Sequence, residues 1–469
     1  MIAKTLPGPC LKFLARRQRL HFVMPVSPAR HAAFTILQHV EAGKGFAVTM
    51  MQKPEFSALS EADRALGTEL VMGVLRRREE LDRQIERLSE RRVASLDREV
   101  AIALRLGLYQ MLFLERIPRS AAVNESVELV KQARKTSAAG FVNAILRKCA
   151  GPHHDPSSGS IHLPSWLFDR WVKNFGEEIA RAIAAASTSR PPTCLRICGP
   201  SANLEAVERE LFEDGVRTRP GQFASRSLFV ESGNVKKSRA WREDRVVIQD
   251  EGSQLVAELV NPQTGMRVLD ACAAPGMKLI QLAETLGQGT ILACDVSPGR
   301  LQTLKHVAAK HVPPAVQLQV RHMDLTRETP EGGLFDAVLV DAPCTGTGTL
   351  GRNPEIKFRL KPEDVPRLHE IQTRILHNAL GVLAPGGRLV YSTCSLEPEE
   401  NEQVIEEVLG SSQEFRLLSA QDLRAEFRRI GHFFVEPGYF RTRPDIDPPH
   451  RMDGFFAACI VRARWTRLA

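Results

Sequence analysis

Between residues 27 and 150, apolar side chains recur at steps of three and four, the spacing that places them on one face of an α-helix. The stretches ARHAAFTILQHVEAG, EADRALGTELVMGVLRRREELDRQIERL, REVAIALRLGLYQMLFLE, SAAVNESVELVKQAR and AAGFVNAILRKCA all carry this pattern, and glycine or proline stands at several of the breaks. An all-helical domain over 25–150 is therefore expected. GPHHDPSSGS then gathers turn formers and few apolar residues, so 151–164 is read as a linker and His153 and His154 as solvated. Residues 165–260 mix helix-like SWLFDRWVKNFGEEIARAIAAAS and NLEAVERELFEDG with strand-like TCLRIC and SRSLFVES, which predicts a small α+β module.

From residue 261 to 469 the rhythm changes. RVLDACAAPG, TILACDV, VQLQVRH, FDAVLVDAP and GRLVYSTCS are short apolar runs with helical stretches between most of them. That alternation predicts an α/β domain with a mostly parallel sheet covered on both faces, and FFAACIVRA adds a late strand. A chain of 469 residues divides naturally into several such units.

Composition narrows the partners. Hydrophobic residues make up 43% and charged residues 25%, with no apolar run near the roughly 18 residues of a membrane span. The net charge of +8 favours a polyanionic partner without proving one. Nine cysteines, an odd number thinly spread, fit a reducing cytoplasm better than a disulfide framework. Cys194 and Cys198 lack a second Cys or His pair at zinc spacing, so no metal is expected. Residues 1–24 are basic without an acidic residue, and are read as a disordered extension or an over-called start.

In open parallel sheets, ligands bind beyond the carboxyl ends of the strands. The first strand here ends in Asp270, followed by a turn of small residues, Cys272, Ala273, Ala274, Pro275 and Gly276, and then Met277 and Lys278. Asp295 follows the second strand, 25 positions later, about where nucleotide-binding sheets place an acid for ribose hydroxyls. Asp324, Asp341 and Cys394 follow the next three. Any one of these aspartates reads equally well as a helix cap; a set at consecutive strand ends is harder to dismiss. The turn is neither GxGxxG nor a Walker loop, and its acidic lining suits the cationic S-adenosylmethionine.

DACAAPGMK, DAPCTGTGTLGRNPEIKFR and YSTCSLEPEENE resemble the three signature segments of the RNA (cytosine-5) methyltransferase family, whose catalytic domain is class I Rossmann-like. The helical domain resembles the NusB-like RNA-binding fold, and QDEGSQLVAELV resembles the lead-in segment of the same family. In this order, the domains resemble bacterial small-subunit (16S) ribosomal RNA methyltransferases of the Sun or Fmu type. The resemblance implies an RNA-binding small module and a cofactor loop at Cys272–Lys278. It places the ribose contact at Asp295, the adenine neighbourhood at Asp324, and Asp341 where cofactor and base meet. Arg300 is either a further holder of that region or a surface residue. Family members usually have glycine where Met277 stands and threonine where Leu279 stands, so helical or extended backbone is expected at Met277.

Carbon 5 of cytosine is a poor nucleophile until a thiolate adds to carbon 6, and the adduct must later lose its carbon 5 proton. Two cysteines at adjacent strand ends suit those two tasks. The resemblance assigns Cys394 as nucleophile and Cys344 as release residue, with Asp341 at the N3 and amino edge of the base. Lys278 is a candidate source of positive charge for the thiol. The substrate is expected to be an unpaired or flipped-out cytosine, and the protein a monomer. Basic stretches at 76–78, 236–239 and 441–443 read either as phosphate contacts or as solvated faces; Arg352 and Lys357 are the preferred phosphate partners. Transfer RNA as substrate, or a non-catalytic assembly factor, are the alternatives; a binding module would need neither thiol.

Overall fold

The computed structural model describes residues 26–149, 163–199, 203–410, 412–446 and 451–463. The expectations for 1–24 and for 151–162, with His153 and His154, lie outside the described residues. The helical domain is built around the helix Arg98–Phe113, which is buried without a break from Val100 to Met111 because neighbouring helices surround it. Pro28–Glu41, Glu61–Arg76, Arg119–Gln132 and Ala139–Lys148 supply Leu37, Leu70, Leu129 and Leu146 to the same core. Two cations are buried with it, each paired as a buried charge requires: Arg105 with Asp82 and Glu41 at 2.6 Å each, and Arg30 with Glu125 at 3.0 Å.

The small module carries a four-stranded antiparallel sheet, β1 (Thr193–Ile197), β2 (Arg217–Pro220), β3 (Ser227–Ser232) and β4 (Val246–Ile248), in the order β2-β3-β1-β4. The helix Leu204–Glu213 packs Val207 and Leu211 against Leu195, Ile197 and Leu228 of that sheet. Two preceding helices, Ser165–Phe175 and Glu177–Thr188, turn away and pack Leu167, Trp171 and Ile183 against Leu350 and Leu396 of the third unit.

That third unit contains β5 (Arg267–Asp270), β6 (Gly289–Asp295), β7 (Val316–His322), β8 (Phe335–Asp341), β9 (Leu383–Thr393), β10 (Phe415–Leu417), β11 (Phe434–Val435), β12 (Tyr439–Arg441) and β13 (Phe456–Arg462). The sheet order is β11-β12-β13-β9-β8-β5-β6-β7, with β10 paired to β13. The run β9-β8-β5-β6-β7 is parallel, while β13 inserts antiparallel beside β9 and extends the sheet through β12 and β11. The sheet is therefore mixed rather than parallel throughout. The central strands are buried on both faces, Val338, Leu339 and Val340 all being inaccessible, which explains their unbroken apolar runs. The helix Glu251–Val260 packs Leu255, Val256 and Leu259 into this sheet's core beside Leu279 and Leu282. The chain order reverses at β5, from which β6 and β7 lie to one side and β8 and β9 to the other. Ligand crevices form at such a switch point.

Candidate active site

Asp270 ends β5, and the turn that follows is fixed from behind by the next strand. Ala273 N–H donates to the Cys294 carbonyl at 2.8 Å, and Ala274 N–H donates to Asp295 Oδ2 at 3.2 Å. Arg300 reaches both the Ala274 carbonyl and the Asp295 carboxylate, so it is part of the turn. Gly276 takes φ +112° as the N-cap of the helix Met277–Leu286. Met277 is the first helical residue, so the left-handed conformation falls on the glycine and Met277 meets no strain.

This turn walls a cavity of about 260 Å³. Every residue from Cys272 to Lys278 lines it, together with Asp270 and Asp341. Distant segments close it: Gln249, Asp250 and Ser253 before the domain's first strand, and Asp453 and Phe455 just ahead of β13. Asp295 lies behind the turn, and Asp324, two residues past β7, receives bonds from the Thr326 N–H and hydroxyl at 3.0 and 2.7 Å. Neither lines the cavity itself.

The cavity is electrostatically incomplete. Asp270 is 1% exposed and neither carboxylate oxygen has a hydrogen-bond partner. Burial, with Asp341 adding to it against Lys278, pushes its pKa up to about 8. Asp341 is better served, accepting from Lys278 Nζ at 2.8 Å and from the Ser392 hydroxyl at 2.9 Å. Burial works against the Lys278 charge, but Asp341 outweighs it and the pKa rises; Cys394 contributes in the same direction.

The two cysteines meet. β8 and β9 are hydrogen-bonded neighbours with Asp341 opposite Ser392, and the loops leaving them bring Cys344 Sγ within 3.4 Å of Cys394 Sγ. Both thiols are half-buried. The hydrogen bond to Cys394 and burial raise the Cys344 pKa well above the ordinary thiol value, which keeps Cys344 protonated. Cys272 is likewise raised by burial and nearby carboxylates, and Cys294, in the core, is pushed up to about 12. Neither is suited to nucleophilic work.

Around the thiols the backbone is tightly laced. Gly348 N–H donates to the Cys394 carbonyl at 2.9 Å, and Gly454 N–H to the Gly348 carbonyl at 2.8 Å. A side chain at Gly348 would stand 2.2 Å from the Gly454 oxygen, so these loops approach only because both residues are glycine. Below them Trp171 Nε1 donates to Glu397 at 3.0 Å.

The expected phosphate contacts are corrected. Arg352 is bonded to Asp250 at 2.8 Å, Asp453 at 2.7 Å and the Pro192 carbonyl at 3.1 Å, joining the small module to the cavity wall. Lys357 is 1% exposed, and burial lowers its pKa to about 7. A phosphate cannot reach a buried ammonium. The loop 351–359 instead clasps the helical domain: Arg76 donates to the Gly351 carbonyl at 3.0 Å, Arg359 to the Val40 carbonyl at 2.8 Å, and Ala47 N–H to Glu355 at 2.6 Å. Arg78 stacks over Phe358, Lys237 pairs with Glu61, and Arg441 and Arg443 pair with Glu402 and Asp445. Asp270 as an unsatisfied group, and the wall formed by Asp250, Asp453 and Phe455, carry no signal in the sequence pattern, because each depends on what packs beside it.

Among the described residues no helix is long and apolar enough to cross a membrane, and no cluster of potential metal ligands is present. Family models match the three units in turn: the NusB family over 27–151, the ferredoxin-like domain of RsmF/B-like methyltransferases over 163–236, and 16S rRNA methyltransferase RsmB/F over 257–461. The probable ribosomal RNA small subunit methyltransferase B of Bacillus subtilis is 31% identical, over 94% of this chain and 100% of its own length. The crystal structure of PH0851 superposes on 93% of this chain and 99% of its own with a TM-score of 0.75, at 24% identity, which shows a shared fold. A methyltransferase homolog protein from Pyrococcus horikoshii is 30% identical, over 64% of this chain and 95% of its own, with a TM-score of 0.53. A mixed-sheet domain with its cavity and thiols at the switch point, two accessory units in matching order and a relative aligned end to end lead to one assignment: the chain belongs to the 16S rRNA methyltransferase RsmB/F family.

Proposed function

We propose that the protein methylates carbon 5 of a cytosine in small-subunit ribosomal RNA, using S-adenosylmethionine and a covalent adduct to Cys394. The observation that carries this reading is the 3.4 Å approach of Cys344 and Cys394 beside the Lys278–Asp341 pair on the cavity wall.

The cavity fits the cofactor. A buried carboxylate with two unbonded oxygens, Asp270, awaits a cation, and the small residues from Cys272 to Gly276 leave room for a ligand against the backbone. Met277 and Lys278 complete that cradle, while the ribose and adenine roles fall to Asp295 and Asp324, which stand at and just past the ends of β6 and β7, outside the cavity wall. When bound, S-adenosylmethionine supplies an electrophilic methyl group on its sulfonium.

The chain's own groups do the rest. The Cys394 thiolate adds to cytosine carbon 6, forming the S–C6 bond and moving the C5=C6 electron pair toward carbon 5. The Asp341 carboxylate meets the N3 and amino edge, accepting from the amino group, and the Lys278 ammonium 2.8 Å from it balances the negative charge pushed into the ring. Cys344 stays protonated while its neighbour is a thiolate. Once Cys394 is alkylated it is no longer an anionic acceptor, so the main cause of the raised Cys344 pKa disappears. Cys344 then gives its own proton to water and, as a thiolate, takes the carbon 5 proton directly or through water; the C–H electron pair re-forms C5=C6 and expels Cys394 as a thiolate.

The test is incubation with methyl-labelled S-adenosylmethionine and bare small-subunit ribosomal RNA, followed by mapping of 5-methylcytosine. Label in that RNA at one cytosine is expected. Label confined to transfer RNA, or at another ring position, would overturn the reading.

A further inference from the structure

We infer that Glu400 is a positioning residue for the reaction, a carboxylate that sets the spacing of the two thiols by gripping the residue after each. The inference rests on the assignment of Cys394 and Cys344 above.

Glu400 is inaccessible, in the short 3-10 turn Pro398–Glu400 beyond β9. Its Oε1 accepts from Thr345 N–H at 2.9 Å and from Gln372 Nε2 at 3.0 Å, and its Oε2 accepts from the hydroxyls of Thr345 and Ser395. Thr345 follows Cys344 and Ser395 follows Cys394. One carboxylate therefore holds both cysteine loops, and Gln372 anchors it to the helix Asp364–Gly381 while also donating to the Pro343 carbonyl at 2.8 Å, just before Cys344. All four partners donate, which an acceptor-only carboxylate matches and an amide does not. The Thr345 and Ser395 hydroxyls are themselves 3.0 Å apart, so the loops are joined one residue beyond the thiols. Glu400 touches neither thiol in any bond, and acts through these two neighbours.

The experiment compares wild type with Glu400→Gln, Ser395→Ala and Thr345→Val, using methyl-labelled S-adenosylmethionine and small-subunit ribosomal RNA. A misplacement of about 1 Å costs on the order of 100-fold in rate. Glu400→Gln is expected to lower kcat by about that factor, with KM for RNA and cofactor affinity within about threefold of wild type. Combining Glu400→Gln with Ser395→Ala should add little, because both release the same grip. Wild-type kcat in Glu400→Gln overturns the proposal, as does parallel loss of kcat, RNA KM and cofactor affinity. If Glu400→Gln does not fold, Ser395→Ala and Thr345→Val decide: a loss confined to kcat supports the grip, and wild-type kcat in both overturns it. Failure of the chemical assignment is distinguishable, since Cys344→Ala would then accumulate no covalent RNA adduct.

Discussion

Cys344 and Cys394 lie 50 residues apart in the chain and 3.4 Å apart at sulfur. The contact with Cys394 and burial raise the Cys344 pKa, and the proposed order has Cys394 attack and Cys344 release. Cys394→Ala is expected to form no covalent RNA adduct and to lose methylation. Cys344→Ala should still attack, and should accumulate adduct that survives denaturing electrophoresis. Adduct in the first variant and none in the second would reverse the assignment.

Asp270 predicts a pH dependence. In the free protein its pKa is about 8, raised chiefly by burial, so the carboxyl is mostly protonated below that value. A cationic ligand favours the ionised form, and binding must then expel a proton at lower pH. Affinity for S-adenosylmethionine should rise with pH and flatten near about 8, by at most about tenfold per unit. Calorimetry in two buffers of different ionisation enthalpy reads the released proton directly. Asp270→Asn should weaken binding and abolish the slope. Free of ligand, the same substitution should raise the melting temperature at neutral pH: a carboxyl with a raised folded pKa loses stability as pH rises from about 4 to about 8.

Lys357 predicts an effect on stability and none on RNA. Burial lowers its pKa to about 7, below the unfolded value, so the unfolded chain binds the extra proton between about pH 7 and pH 10. Stability should climb through that window and its full cost should be present below about 7. Lys357→Met is expected to stabilise the protein at pH 7 by a few kcal/mol, on the order of 3–5, with a gain that shrinks toward pH 10. Urea unfolding at two pH values measures it. RNA affinity should stay unchanged, whereas a phosphate contact would lose affinity and lower the salt slope by about 1.

Met277 and Gly276 separate two positions that look interchangeable in the sequence. Met277→Gly, at the first helical position, should cost at most about 1 kcal/mol. Gly276→Ala meets only ordinary contacts with Leu304, yet it forces a side chain to φ +112° and should cost about 1–3 kcal/mol. Chemical denaturation of the two variants distinguishes them. Equal losses would mean that the positive φ is not confined to Gly276.

The chain's hydrophobic periodicity was enough for the helical unit, the α+β unit and the parallel strands, because each pattern reflects burial on one face or on both. Strand ends followed from those runs, so Asp270, Asp295, Asp341 and Cys394 were legible as a set. Partnership was not. That Lys357 and Arg352 are interior clasps, that Asp270 has no bond, and that Asp453 and Phe455 reach the cavity ahead of β13 depends on long-range packing of segments far apart in sequence. A basic residue reads as a phosphate contact until its neighbours are known, since charge is local and desolvation is not. The sequence alone set Asp270, Asp295, Asp341 and Cys394 at strand ends; the tertiary structure decided their spacing, their burial and their partners, because those depend on distances that no periodicity encodes.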